Sequence, residues 1–158
     1  MTNQPRHSPD ASHAGHSGGS IRHSAVVHHD RGEVEAVQDA LEAAMTRCGY
    51  SKASLFAVRL SFQEGIANAF NHGHKNLPPH TPAIVEFAVS PDEVMIAIED
   101  QGPGFKPDAV ADCTLDENLE VPRGRGVMLI RAYMHEVRYN DKGNRVEMFF
   151  RAKPPASA

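Results

Sequence analysis

The chain has 158 residues, of which 41% are hydrophobic and 23% charged, with a formal net charge of -4. Length and composition fit one soluble domain that buries roughly two-thirds of its unfolded surface without disulfides or metal. The acidic balance argues against nucleic acid as the main partner. No apolar run approaches the roughly 18 residues of a membrane span, so no membrane partner is expected. The first residues lack the apolar stretch of a secretory signal. Cys48 and Cys113 are the only cysteines and form no CxxC pair. That excludes a zinc ribbon or disulfide scaffold and points to a reducing, cytoplasmic setting.

Residues 1–24 hold four His, five Ser, three Gly and two Pro. Such a stretch buries too little apolar area to offset its ordering entropy. The expected organisation is a disordered tail over 1–19, a domain over 20–151 and a polar tail over 152–158. His7, His13, His16, His23, His28 and His29 could supply metal ligands. Their spacing is irregular and no Cys accompanies them, so the tail is not read as a metal site.

Ile21 to His29 reads as a short strand. Asp30 then looks like an N-cap, with Glu33 placed as in a capping box. Val34, Val37, Leu41, Met45 and Cys48 recur at helical spacing, and Gly49 closes that helix. Ser51 opens a second helix with the stripe Leu55, Val58, Phe62, Ile66 and Ala69, ending at Gly73. Val85, Phe87 and Val89 alternate along a strand from Ala83. Across the turn at Ser90-Pro91-Asp92, Val94, Ile96 and Ile98 line the next strand. The stretch from Gly102 to Arg125 has little periodicity. Gly126 to Met134 is apolar nearly all round and predicts a buried helix. Val137-Tyr139 and Val146-Met148-Phe150 predict a hairpin across Asn140-Asp141-Lys142-Gly143. The expected class is α+β: a two-layer sandwich with a mixed, mostly antiparallel sheet and helices on one face.

Three segments carry chemistry. Glu64, Asn68 and His72 lie four apart, and each step of four advances only about 40°, so they share a helix face opposite Phe62 and Ile66. A solvated face would favour good helix formers, whereas Gly65, Asn68 and Asn71 are poor ones. An Asn oxygen can ligate Mg²⁺ without adding charge. Asp100 follows Val94, Ile96 and Ile98 in phase, so its carboxylate is aimed toward the core side at a strand end and needs donors. An adenine amino group is one such donor, where guanine would present an acceptor. In Arg123-Gly124-Arg125-Gly126, glycines at a helix entry admit an anion to backbone N–H groups, and the arginines suit phosphate. No P-loop sequence is present, and neither glycine cluster completes a dinucleotide fingerprint.

Together these segments resemble the three boxes of the GHKL, or Bergerat-fold, ATPases. Glu64-Gly65-Ile66-Ala67-Asn68-Ala69 resembles the N box. Asp100-Gln101-Gly102-Pro103-Gly104-Phe105 resembles the first glycine box. Gly124-Arg125-Gly126-Val127-Met128-Leu129-Ile130 resembles the second. Within that superfamily the chain looks most like the bacterial anti-sigma-factor serine/threonine kinases, with Leu115 to Glu120 as a lid-like segment. The resemblance spans about residues 20–151.

It implies ATP and Mg²⁺ as cofactors. Glu64 would be the general base or orient the acceptor hydroxyl, and Asn68 would ligate Mg²⁺. Asp100 would accept from adenine, with Gly102 and Gly104 allowing close backbone approach. Gly124 and Gly126 would let the lid wrap the phosphates, and Arg125 would contact the terminal one. His72 matches a place where His is common and receives no role. His135 and Arg123 depart from the subgroup, which often has Asp and a small residue there. The implied partners are a STAS-type anti-sigma-factor antagonist as phospho-acceptor, a sigma factor, and a second copy paired through the N-terminal strand and sheet. The alternative is a nucleotide-gated binding switch of the same fold that phosphorylates nothing.

Overall fold

The computed structural model describes residues 19–104 and 122–152, with side chains from Gly126 onward in the second stretch. The lid-like segment at Leu115–Glu120, Cys113 and most of both tails lie outside the described residues. The elements run in the order β1 (Ile21–Val27), α1 (Arg31–Arg47), α2 (Lys52–Asn68), a π turn (Ala69–Gly73), β2 (Ala83–Val89), β3 (Glu93–Glu99), α3 (Pro122–Tyr133), β4 (Glu136–Tyr139) and β5 (Arg145–Arg151). The five strands form one sheet in the order β1-β2-β3-β5-β4. Every pairing among the described residues is antiparallel. No helix among the described residues is long and apolar enough to cross a membrane.

The alternation expected of the strands sets the register. Val85 faces Ile98, Phe87 faces Ile96 and Val89 faces Val94. The next pair continues the same layer, with Ile96 opposite Met148 and Ile98 opposite Val146. All eight are buried, and Leu41, Met45, Val58 and Phe62 from the helices close over them. The helices therefore cover one face, and burial of these side chains away from water is the main term holding the two layers together. The other face mixes apolar residues such as Met95 and Phe149 with charged ones. There Arg145 bridges Glu86 at 2.8 Å and Glu147 at 3.3 Å.

The helix starts are fixed by local chemistry. Asp30 caps α1 by accepting from the Glu33 N–H at 2.9 Å. The Glu33 carboxylate reaches back to the His28 N–H at 2.7 Å, rather than to the cap residue as in the reciprocal box. Ser51 caps α2 by accepting from the Ser54 N–H. Arg59 joins α2 to Glu42 of α1 through two bonds of 2.6 and 3.1 Å.

Two sequence expectations need correction. The helix expected to end at Gly73 is α-helical only to Asn68, and its last turn is a π turn closed by the His74 N–H on the Ala69 carbonyl at 2.9 Å. Residues 126–134 are not buried all round. Val127, Ile130 and Met134 face inward, while Met128, Leu129 and Tyr133 are about two-fifths exposed. The physical reason is position: α3 packs on α2 and β4 through its inward residues, and Met128, Leu129 and Tyr133 lie on its outer side, where Tyr133 meets the ring of Phe56 edge-on.

Candidate functional site

The π turn and the end of β3 meet at one edge of the sandwich, where they enclose a cleft. Gly65, Asn68 and Ala69 of the helical layer line it, with Ile98 and Asp100 from β3 and its end, Ile130 from α3, and Tyr139 and residues 143–146 from the closing hairpin. The enclosed part of this cleft is small, about 30 Å³, and it opens to solvent. Asn68 and Asp100, expected to cooperate from the sequence alone, thus border the same space.

Asp100 is held from several sides. Its N–H donates to the Asn144 carbonyl and its carbonyl accepts from the Asn144 side-chain amide, both at 2.8 Å. Its Oδ1 accepts from the Gly102 N–H at 2.8 Å. Gly73 lies against the carboxylate so closely that a β-carbon there would collide with it. Gly102 in turn packs on the Gly73 carbonyl, where only glycine fits. Gly104 has φ +79° and lies against the Lys142 carbonyl, so it combines left-handed backbone with close approach.

Glu64 and Asn68 stand one turn apart on α2 and converge on Gly126 of α3. A β-carbon on Gly126 would lie 3.0 Å from Glu64 Oε2 and 3.2 Å from both amide atoms of Asn68. This is a polar cradle kept open by the absence of a side chain. The neutral amide oxygen of Asn68 suits a hard divalent cation such as Mg²⁺, and the Glu64 carboxylate stands beside it. Gly124 and Arg125 lie in the first turns of α3, and their side-chain surroundings lie outside the described residues. His72 is partly buried within the π turn. Among the described residues, no group of three or more His, Cys, Asp or Glu is placed to hold a metal.

The remaining singled-out residues have structural places. Gly65 is buried beneath the sheet, where a β-carbon would lie 2.7 Å from Ile98 Cδ1. Its poor helix propensity is therefore explained by helix–sheet packing. His135 Nδ1 accepts from the Arg151 N–H at 2.9 Å and fastens the end of α3 to β5. His23 stacks on Phe87 and His29 on Phe70.

Two residues of the site were not foreseen. Asn144 looked like part of a hairpin turn, and the Asn140 side chain does organise that turn by accepting from the N–H groups of Gly143, Asn144 and Arg145. Its partnership with Asp100 spans 44 positions and has no periodic signature. His74 accepts from the Gln101 N–H at 2.8 Å. The only sequence hint was a second histidine directly after His72-Gly73.

Comparison with known proteins agrees with this geometry. A family model described as "Histidine kinase-like ATPase domain" matches residues 27–150. No curated protein matches the chain. Among solved structures, the chain is similar to the RsbU and RsbW domains of Rv1364c from Mycobacterium tuberculosis, with a TM-score of 0.53 and 12% identity over 84% of this chain. It spans 32% of that longer chain, and at this identity the likeness speaks for the fold. With the family model covering the helices, strands β2 to β5 but for the last residue, and the cleft, the chain belongs to the histidine kinase-like ATPase domain family.

Proposed function

We propose that the chain binds Mg-ATP in this cleft and transfers the γ-phosphoryl group to a Ser or Thr hydroxyl of a STAS-type anti-sigma-factor antagonist. In its other partnership it holds a sigma factor. The observation that supports this reading best is that Asn68 and Asp100 line one cleft. Glu64 stands beside Asn68 around the open position at Gly126.

Phosphoryl transfer passes through a loose transition state, so catalysis is mainly positioning and charge neutralisation. In this reading Asp100 accepts from the adenine amino group and fixes the base, with Gly102 and Gly104 admitting the nucleotide close to the backbone. Asn68 would hold Mg²⁺ through its amide oxygen, and the ion, when bound, would supply neutralisation of the phosphate charge. Glu64 orients the acceptor hydroxyl and takes its proton. The hydroxyl oxygen forms a bond to the γ-phosphorus while the bond to the β–γ bridging oxygen breaks, leaving ADP. The free N–H groups of the first turn of α3, up to Gly124, suit the phosphates, and Arg125 is assigned to the terminal one. A second copy is assigned to β1, an edge strand on which Val26 is 62% exposed.

Incubation with γ-labelled ATP, Mg²⁺ and purified STAS-domain proteins tests this. Label on a Ser or Thr of a STAS protein is the expected result. Stoichiometric ATP binding with no label on any of them would favour the nucleotide-gated switch instead.

A further inference from the structure

His74 follows the π turn directly and is only 8% exposed. Its ring lies edge-on to Phe70, with centroids 5.4 Å apart. Nε2 is 2.8 Å from the backbone nitrogen of Gln101. A peptide N–H can only donate, so Nε2 must present its lone pair, and the proton of the neutral ring must sit on Nδ1. Nδ1 is buried and has no hydrogen-bond partner among the described residues. An orphaned buried donor is costly, and a phenylalanine would fill the same volume without it. What the imidazole offers that a phenyl ring cannot is the acceptor at Nε2.

That acceptor holds the peptide that joins Asp100 to Gln101. On its other side the same segment is held by Asn144 through the Asp100 backbone. Asn144 ties Asp100 to the β4–β5 hairpin. His74 ties it to the end of the helix that carries Asn68. We propose that His74 is a positioning residue of the nucleotide site: its neutral, Nδ1-protonated ring sets the placement of the Asp100 carboxylate relative to Asn68 by anchoring the Gln101 N–H. This rests on the nucleotide reading given above.

The test uses the full chain and the variants His74→Gln and His74→Phe. Gln places a side-chain acceptor near the position of Nε2, whereas Phe keeps the ring and loses the acceptor. At neutral pH, imidazole ¹⁵N correlation spectra, with the His74 signal identified by its loss in His74→Gln, should show a protonated Nδ1 and a pyridine-like Nε2. Calorimetric titration with Mg-ATP should give about tenfold weaker binding for His74→Phe, the worth of one hydrogen bond, and near wild-type binding for His74→Gln. An Nε2-protonated or doubly protonated ring overturns the proposal. So does wild-type affinity in His74→Phe, or equal weakening in both variants. If His74→Phe does not fold, the tautomer and the His74→Gln affinity still decide. Absence of ATP binding by the wild type overturns the nucleotide reading and this role together, whereas a wrong tautomer with ATP binding intact overturns the role alone.

Discussion

Asp100 and Asn144 exchange two hydrogen bonds of 2.8 Å, one from each to a carbonyl of the other, across the end of β3 and the start of β5. The side-chain half of this clamp can be removed without touching the strand ladder. Asn144→Ala leaves the Asp100 carbonyl without that partner and should cost about 1–2 kcal/mol of stability. Because the lost bond lies on the segment that presents the Asp100 carboxylate, ATP affinity should fall as well. Chemical denaturation and calorimetry on one sample check both, and a stability loss with unchanged ATP affinity would make Asn144 a hairpin residue only.

Glu64→Gln keeps the shape of the side chain and removes its charge and basicity. Gly126 still has room, so ATP binding should persist. Transfer to the acceptor hydroxyl should fall by at least about a hundredfold, the low end for loss of a general base. A radiolabel transfer assay reads this directly, and normal transfer would take Glu64 out of the proposed role.

Gly126→Ala separates site from scaffold. Within α3 the change should favour the helix by up to about 1 kcal/mol. The new methyl would sit 3.0 Å from Glu64 Oε2 and 3.2 Å from the Asn68 amide, so those side chains must yield by tenths of an ångström. The expected outcome is an unchanged or raised melting temperature with weakened ATP binding and transfer. A variant that melts higher and still transfers phosphate normally would contradict the convergence of α2 and α3 on a functional cradle.

Tyr50 offers a pH test of the packing between the helices and the β2–β3 turn. Its hydroxyl donates to the Ser90 carbonyl at 2.8 Å. Burial foremost, with Cys48, Asp92 and Glu93 nearby, pushes its pKa up to about 12 from an ordinary 10.0. The folded state therefore holds this proton more tightly than the unfolded chain. Its contribution to stability is intact below pH 10 and is lost as pH rises through 12. Ultraviolet titration of the folded protein should show a phenol ionising near 12 that is missing from Tyr50→Phe. A titration curve unchanged by that substitution would refute the assignment.

Much of the fold was legible because burial and periodicity coincide. Val85, Phe87 and Val89 alternate on a half-buried sheet, and Val37, Leu41 and Met45 recur on one side of a helix. Asp30 and Ser51 mark helix starts because their oxygens satisfy otherwise unpaired N–H groups. The nearness of Asn68 and Asp100 was legible only through the order of the three motifs. The π turn was not, because one extra residue in a turn leaves no trace in a pattern of apolar positions. Gly65 misled for a related reason. Propensity flagged it as out of place on a helix, but only the position of Ile98 explains why it must lack a side chain. The outward face of α3 was misread because apolar residues all round normally signal burial. Here Leu129 and Tyr133 stay partly exposed at the outer side of the helical layer.

Acceptance of an adenine nucleotide between Asn68 and Asp100 is the proposal on which the other roles depend. It is tested most directly by calorimetric titration of wild type and Asp100→Asn with Mg-ATP and Mg-GTP. Asparagine can still accept from the Gly102 N–H, so the turn should survive, but its amide group meets the adenine amino group donor to donor. The expected result is saturable ATP binding by the wild type, with GTP at least about tenfold weaker and ATP weakened to a similar degree by Asp100→Asn. Equal affinity for the two nucleotides, or an Asp100→Asn protein that binds ATP as tightly as the wild type, would contradict it.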